Sequence, residues 1–432
     1  MSTAERTTMD SAAAATTAAV QSSLPLATPA VAVPLLQDDG IDTMVDADWA
    51  WDSIHLEAAD TSRRLDLGGL QSTVKTWFEP AVLDDLLGPA EGHAERVARE
   101  WLGVGGKRWR PFLAAAVHAA LVPGPTPAPA QEAALRKIAV AVECFHKASL
   151  VHDDIEDGDL ERYGEPTLPG AYGVPVALNV GDVLIGEGYR LIAESGLDPA
   201  TITAAVREAS QSQRLLCRGQ GEELAWSRTP TALASRQVLE IFRLKTAPAF
   251  DVALQLGSLC AGRGSELAEV LRTFSEAVGI AYQIKDDLDD LQDDAGLLPG
   301  AQPRPSVVLA LAAERARGAD RDLLGRLARG EHVADVTAER VRGAIAECKA
   351  DEKAALLLEG YKEQAIRALD GLLEPTLKGL MRRVLGKIFD EVSFEGYCRE
   401  AEQERLRHVK TEGAAKASAP AVEPAAAVVD RA

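Results

Sequence analysis

The chain lacks any run of about 18 uninterrupted apolar residues, the length a helix needs to cross a bilayer, so no membrane span is expected. It is short of positive charge: 46 Lys and Arg stand against 66 Asp and Glu, a net charge of −20. A nucleic-acid binder would show a basic stripe, and an anionic membrane surface would repel this balance, so neither partner is expected. Most of the excess reads as a solubility device. The five cysteines (Cys144, Cys217, Cys260, Cys348, Cys398) are scattered, with no C-x-x-C spacing. That excludes a disulfide frame or a zinc site and fits a reducing cytoplasm. The N-terminal "AAAATTAAV" is no signal peptide, because Glu5 and Asp10 spoil a basic n-region and Pro25, Pro29 and Pro34 follow. Strand-type alternation is sparse, and no repeat of fixed period occurs.

What is present is helical periodicity. Hydrophobic residues make up 47 %, enough for a substantial core. "QEAALRKIAVAVECFHKASLVHDDIED", "PVALNVGDVLIGEGYRLIAESG" and "ELAEVLRTFSEAVGIAYQIKDDLDDL" are long apolar-periodic segments, and "TAERVRGAIAECKADEKAALLLEGYKEQAIRALDGLL" adds further helices. The reading is one large all-α domain over residues 46–410. Residues 1–45 and 411–432, rich in Ala and Pro, offer too little bulky apolar surface to offset ordering entropy and read as disordered tails. The N-terminal tail suits either no role or docking to a partner. Asp293 to Ser306, broken by Pro299, Pro303 and Pro305, is a loop.

Two acidic clusters stand out. "LVHDDIEDGD" packs Asp153, Asp154, Glu156, Asp157 and Asp159 into seven residues at the end of an apolar helix. Like charges at i,i+4, such as Asp153 and Asp157, destabilise a helix by ~0.2–0.5 kcal/mol per pair. A fold with no use for them would spread them out. "QIKDDLDDL" repeats the D-D-x-x-D spacing with Asp286, Asp287 and Asp290, beside Asp289. In each, the first and last carboxylates share a helical face. Two such faces opposed would form a pocket of hard oxygen ligands suited to Mg²⁺, which takes one or two carboxylates plus substrate phosphates. Basic residues in apolar contexts complete a phosphate site: Lys107 and Arg110 three apart in "GGKRWRP", Lys245 beside Thr246 in "LKTA", His146 two turns before Asp153, and Arg162 after the first cluster.

Together with "GQGEEL" (Gly219 to Leu224) and "ALNVGD" (Ala177 to Asp182), these segments occur in the order found in the trans-isoprenyl diphosphate synthase (polyprenyl synthetase) family, which the chain resembles over roughly residues 65–400. The resemblance is to the geranylgeranyl diphosphate synthase type. It implies an all-α bundle around a central cavity, a homodimer, and Mg²⁺-dependent condensation of isopentenyl diphosphate with an allylic diphosphate. On that pattern Asp153, Asp154, Asp157, Asp286, Asp287 and Asp290 hold Mg²⁺, and Arg162 and Lys245 bind the allylic diphosphate. Lys107, Arg110 and His146 hold isopentenyl diphosphate, and Thr246 and Gln283 face the developing cation. Some similar prenyltransferases carry long N-terminal tails that load them into protein shells, which the tail here permits.

The chain departs from the pattern at three points. Tyr163 stands where the family has a second Arg, an isopentenyl diphosphate ligand, and it lacks the charge and bidentate fork. No Lys lies between Asp290 and Pro305, so only Arg304 can replace the lysines usual there. That loop is also shortened and rich in proline, so that closure over the site is in question. Each lost charge-assisted bond would weaken binding by ~1.5–3 kcal/mol. A catalytically weak or regulatory subunit is therefore an alternative. A class I terpene cyclase is a more remote one, since it would not be expected to carry "GGKRWRP" or the second D-D-x-x-D. Product length points near C20. Ala148 and Ser149, five and four residues before Asp153, are too small to floor a product tunnel, whereas Phe145, one turn deeper, is a floor or ordinary core.

Overall fold

Helix boundaries follow proline, cap and glycine signals. The computed structural model describes residues 65–389, apart from 105, 123, 125–127, 163–164, 293–296, 298–302 and the side chain of Arg162. Both tails and Tyr163 lie outside the described residues. In chain order the helices are α1 (Leu67–Thr76), α2 (Pro80–Leu87), α3 (His93–Gly103), α4 (Trp109–Leu121), α5 (Pro129–Asp157), α6 (Leu168–Tyr172), α7 (Val174–Ala193) and α8 (Pro199–Arg228). They continue as α9 (Ser235–Cys260), α10 (Gly264–Asp289), α11 (Val307–Arg315), α12 (Gly318–Leu327), α13 (Ala338–Cys348), α14 (Ala350–Ala368) and α15 (Pro375–Ile388). The expectation of an all-α fold holds, with one two-residue hairpin, β1 (Glu161–Arg162) against β2 (Glu165–Pro166), between α5 and α6. No described helix is long and apolar enough to cross a membrane.

The long helices α5, α7 and α8 start where the chain supplies a first-turn proline. Pro129 opens α5, and Asp198 caps α8 by accepting the amides of Ala200 and Thr201. Gly158, in the left-handed region at φ 73°, stops α5 one residue after Asp157. The first acidic cluster thus stands at the end of a helix.

α5 packs along α7, α8 along α9, α9 along α10, and α10 along α14. One apolar core joins α1–α10, α14 and α15, with Phe112 and Phe274 at 1 % and 0 % exposure. A second core ties the start of α9 (Val238, Phe242) and the end of α10 (Ile280, Ile284) to α11–α14. Fully burying one such side chain contributes ~1.5–3 kcal/mol, so the second core fixes the helix end that bears Asp286.

Two glycines bring three helices into close register. A Cβ at Gly219 of α8 would come 2.5 Å from the Lys245 backbone nitrogen, and one at Gly279 of α10 would come 2.7 Å from the Ala247 Cα. The segment Lys245–Ala247 of α9 is therefore gripped from both sides. Pro248 follows inside α9, where its missing N–H leaves the Leu244 carbonyl without an i+4 donor and loosens the helix at this point.

Candidate active site

In the first acidic cluster, Asp153 and Asp157 are half-buried on one face of α5, while Asp154 is 3 % exposed and turned into the protein. Gln220 of α8 donates from Nε2 to Glu156 at 2.9 Å, tying the "GQGEEL" segment to this helix end. In the second cluster, Asp286 and Asp290 are exposed, and Lys285 pairs with Asp289 at 2.6 Å. Loss of water around Asp286, then the charges of Asp290 and Asp289, raise its pKa, while Lys285 and Arg304 pull it down.

Asp287, expected among the metal ligands, reaches the start of α11. Its Oδ2 accepts the Val308 amide at 3.0 Å in the first turn of α11, whose N-cap Ser306 accepts the Leu309 amide. Burial pushes Asp287 up to about 6, against hydrogen bonds from Ser306, Val308 and Val307. Its geometry is that of a helix cap, favoured by the positive end of the α11 dipole.

Arg304, from the segment that follows the second cluster, reaches the first. Its Nη2 lies 2.7 Å from Asp157 Oδ2, and its charge also acts on Asp286. Among the described residues no three His, Cys, Asp or Glu side chains form a ready-made metal cage. Of the two carboxylate edges expected to form a pocket, the first carries a guanidinium at Asp157 and the second is exposed at Asp286 and Asp290. The crowding of Asp286 by Asp289 and Asp290 and a cation already drawn to Asp157 fit a hard divalent ion that completes its shell with substrate oxygens.

The "GGKRWRP" segment leads into the start of α4. Lys107 precedes α4, and Arg108 takes the left-handed conformation at φ 52°, which reorients the chain before Arg110 enters the helix. A non-glycine residue there needs compensation. Arg108 supplies it: Nη1 meets Glu143 Oε1 at 2.5 Å, Nη2 donates to the carbonyls of Leu102 and Val104, and the guanidinium lies 4.1 Å from the Phe78 ring centre. One turn along α5 from Glu143, His146 Nε2 lies 2.8 Å from Arg110 Nη1. A guanidinium only donates, so this ring nitrogen is the acceptor and the imidazole is neutral. Arg108 and Glu143 were not legible as site residues. The available signal was a glutamate inside the apolar run "AVAVECFHKASL".

On α9, Lys245 Nζ pairs with Glu223 Oε1 at 2.7 Å, with Glu223 buried on α8. Thr246 is buried beside it, and Gln283 is half-buried on α10. The backbone of Arg162 pairs with Glu165 in the hairpin. Before Asp153 on α5, Ala148 is 1 % exposed within the main core. Ser149 is exposed, its Oγ donating to the His146 carbonyl at 2.8 Å. Phe145 meets Tyr189 of α7 edge to face, with ring centres 5.0 Å apart, in space that a Cβ at Gly188 would fill.

The polyprenyl synthetase family model matches residues 92–338. Geranylgeranyl diphosphate synthase of Methanosarcina mazei is 27 % identical over 315 residues, which cover 70 % of this chain and 92 % of that protein. Heptaprenyl diphosphate synthase component 2 of Geobacillus stearothermophilus is 33 % identical over 258 residues, 57 % of this chain and 76 % of that one. Among solved structures, geranylgeranyl pyrophosphate synthetase from Geoglobus acetivorans superposes with a TM-score of 0.62 at 23 % identity, covering 74 % of this chain and all of that one. Both aspartate-bearing helix ends, the "GGKRWRP" turn and the gripped Lys245 fall inside the matched span, and the chain belongs to the polyprenyl synthetase family.

Proposed function

We propose that the protein is a trans-prenyltransferase that joins isopentenyl diphosphate to an allylic diphosphate, with a product near C20. The observation that carries this reading is that Arg304, from the segment after the second acidic helix end, pairs with Asp157 of the first, within a chain whose relatives are named as geranylgeranyl and short-chain isoprenyl diphosphate synthases.

Asp153 and Asp157 with Asp286 and Asp290 are the residues that would hold Mg²⁺. Asp154, buried behind them, and Asp287, capping α11, orient the two edges. Bound Mg²⁺ supplies Lewis-acid stabilisation of the diphosphate's negative charge. Lys245 and Arg304, with Arg162, bind the allylic diphosphate and stabilise the charge that gathers on it as its C–O bond breaks. Lys107 and Arg110 bind the second diphosphate, Arg110 being aimed by His146. Thr246 and Gln283 turn oxygen dipoles toward the allylic carbon as it becomes positive. The isopentenyl double bond then attacks that carbon. The proton lost from the adjacent carbon goes to the departed pyrophosphate.

The test is incubation of purified protein with Mg²⁺, isopentenyl diphosphate and each of the C5, C10 and C15 allylic diphosphates, with product length read by mass. A C20 diphosphate is expected, and no condensation with any allylic substrate overturns the reading. A second reading, one subunit of a two-component synthase, draws on the relative named as a component. Turnover by the protein alone as a homodimer excludes it. The assignment of residues 1–45 to a tail that docks a partner or shell predicts that its deletion leaves turnover unchanged and alters only location or binding.

A further inference from the structure

Arg304 has an unusual setting for a surface arginine. Its backbone is held on both sides: Pro303 and Pro305 flank it, the Pro303 carbonyl accepts from Ser227 Oγ at 2.8 Å, and Ser306 caps α11 immediately after. Its side chain is 63 % exposed, so the guanidinium can turn while its anchor stays in place. The carboxylate it meets, Asp157, belongs to a cluster proposed to bind metal, and no other Lys or Arg lies between Asp290 and Pro305.

We propose that Arg304 is an exchangeable internal cation. Without metal it neutralises Asp157; when a divalent ion takes that carboxylate, the guanidinium turns to the substrate diphosphate. The inference rests on the prenyltransferase reading for the identity of the diphosphate. A guanidinium fork suits carboxylate and phosphate oxygens alike, so both positions are chemically equivalent stations. An exposed ion pair is weak enough for a doubly charged ion to displace. A metal bound while Arg304 stayed on Asp157 would face direct like-charge repulsion, so release of the arginine is coupled to metal entry. This gives the lysine-free loop a way to deliver one cation to the diphosphate only after the metal arrives.

The experiment is isothermal titration of the full-length, substrate-free protein with Mn²⁺, and separately with inorganic pyrophosphate in Mg²⁺, for wild type, Arg304→Gln and Arg304→Lys. Arg304→Gln is expected to bind Mn²⁺ about fivefold more tightly and pyrophosphate about tenfold more weakly, with Arg304→Lys near wild type in both. Opposite shifts for the two ligands are what a purely structural arginine would not produce. Unchanged or weakened Mn²⁺ binding in Arg304→Gln, both ligands moving the same way, or no Mn²⁺ uptake by either protein overturns the exchange. Prenyl transfer by the wild type with any of those three results leaves the proposed function standing. Opposite shifts without any turnover leave the exchange standing and remove the prenyltransferase reading.

Discussion

Arg108 and Glu143 form an ion pair 2.5 Å long, with each side chain only 3 % exposed. The pair spans 35 residues of sequence and fastens the turn bearing Lys107 and Arg110 to the middle of α5. Replacing Glu143 with Gln removes the charge and leaves a buried guanidinium without its counter-ion. Breaking a buried pair in this way costs about 3–5 kcal/mol, and a denaturant titration should find a loss of that order. Isopentenyl diphosphate should also show a raised KM with a smaller change for the allylic substrate. A loss below about 1 kcal/mol would mean that the Leu102 and Val104 carbonyls suffice to hold Arg108.

Adjacent aspartates in the second motif should behave oppositely. Asp286→Ala removes an exposed carboxylate crowded by Asp289 and Asp290. It should lower turnover by about 10²-fold or more while thermal stability holds or rises. Asp287→Ala removes the acceptor of the Val308 amide in the first turn of α11, leaving the Ser306 cap, and should lower stability by about 1–2 kcal/mol, with activity falling as a consequence. Equal stability in the two variants would contradict the capping role read from the Val308 amide.

Asp251 gives the fold a pH dependence away from the acidic helix ends. It is buried on α9, and burial pushes its carboxyl up to about 6 despite the Gln255 amide at 2.9 Å and Arg272 of α10 at 3.7 Å. Glu208 of α8 and Glu276 of α10 push in the same direction as burial. Between about pH 4 and 6 the native chain holds a proton that the unfolded chain has released, so stability falls as pH rises through that window. A carboxyl raised this far corresponds to about 3 kcal/mol as an upper figure. Asp251→Asn keeps an acceptor for Gln255 and should stabilise the protein at pH 7–8 but not at pH 4. Equal effects at both pH values would place the cause elsewhere.

Product length tests the Phe145–Tyr189 contact. If the two rings close the product tunnel, Phe145→Ala lengthens the product beyond C20, and Tyr189→Ala shifts it the same way. If they are core alone, both variants lose stability, by up to about 3–5 kcal/mol for a Phe→Ala change, and the product is unchanged. The reverse test, Ala148→Phe, should shorten the product. Ala148 is fully buried, so overpacking of about 1–3 kcal/mol accompanies it, and melting must be measured alongside.

The sequence alone determined the all-α class, the main helices and the positions of both acidic clusters at helix ends. Periodicity, proline, glycine and capping residues act over one or two turns, so they are legible wherever they stand. It also placed the basic residues in motifs whose order points to the family. Tertiary packing decided what each charge meets. Arg304 reaches Asp157 across 147 residues, Glu223 meets Lys245 across 22, and Arg110 meets His146 across 36. Identical D-D-x-x-D spacings leave Asp154 turned into the protein and Asp287 on a helix cap, because the helices packed beside them differ. A carboxylate's residue type fixes that it needs a cation or a donor; which one lies within 3 Å is set by how α5, α8, α9, α10 and α11 come together, and that is decided by cores many residues away.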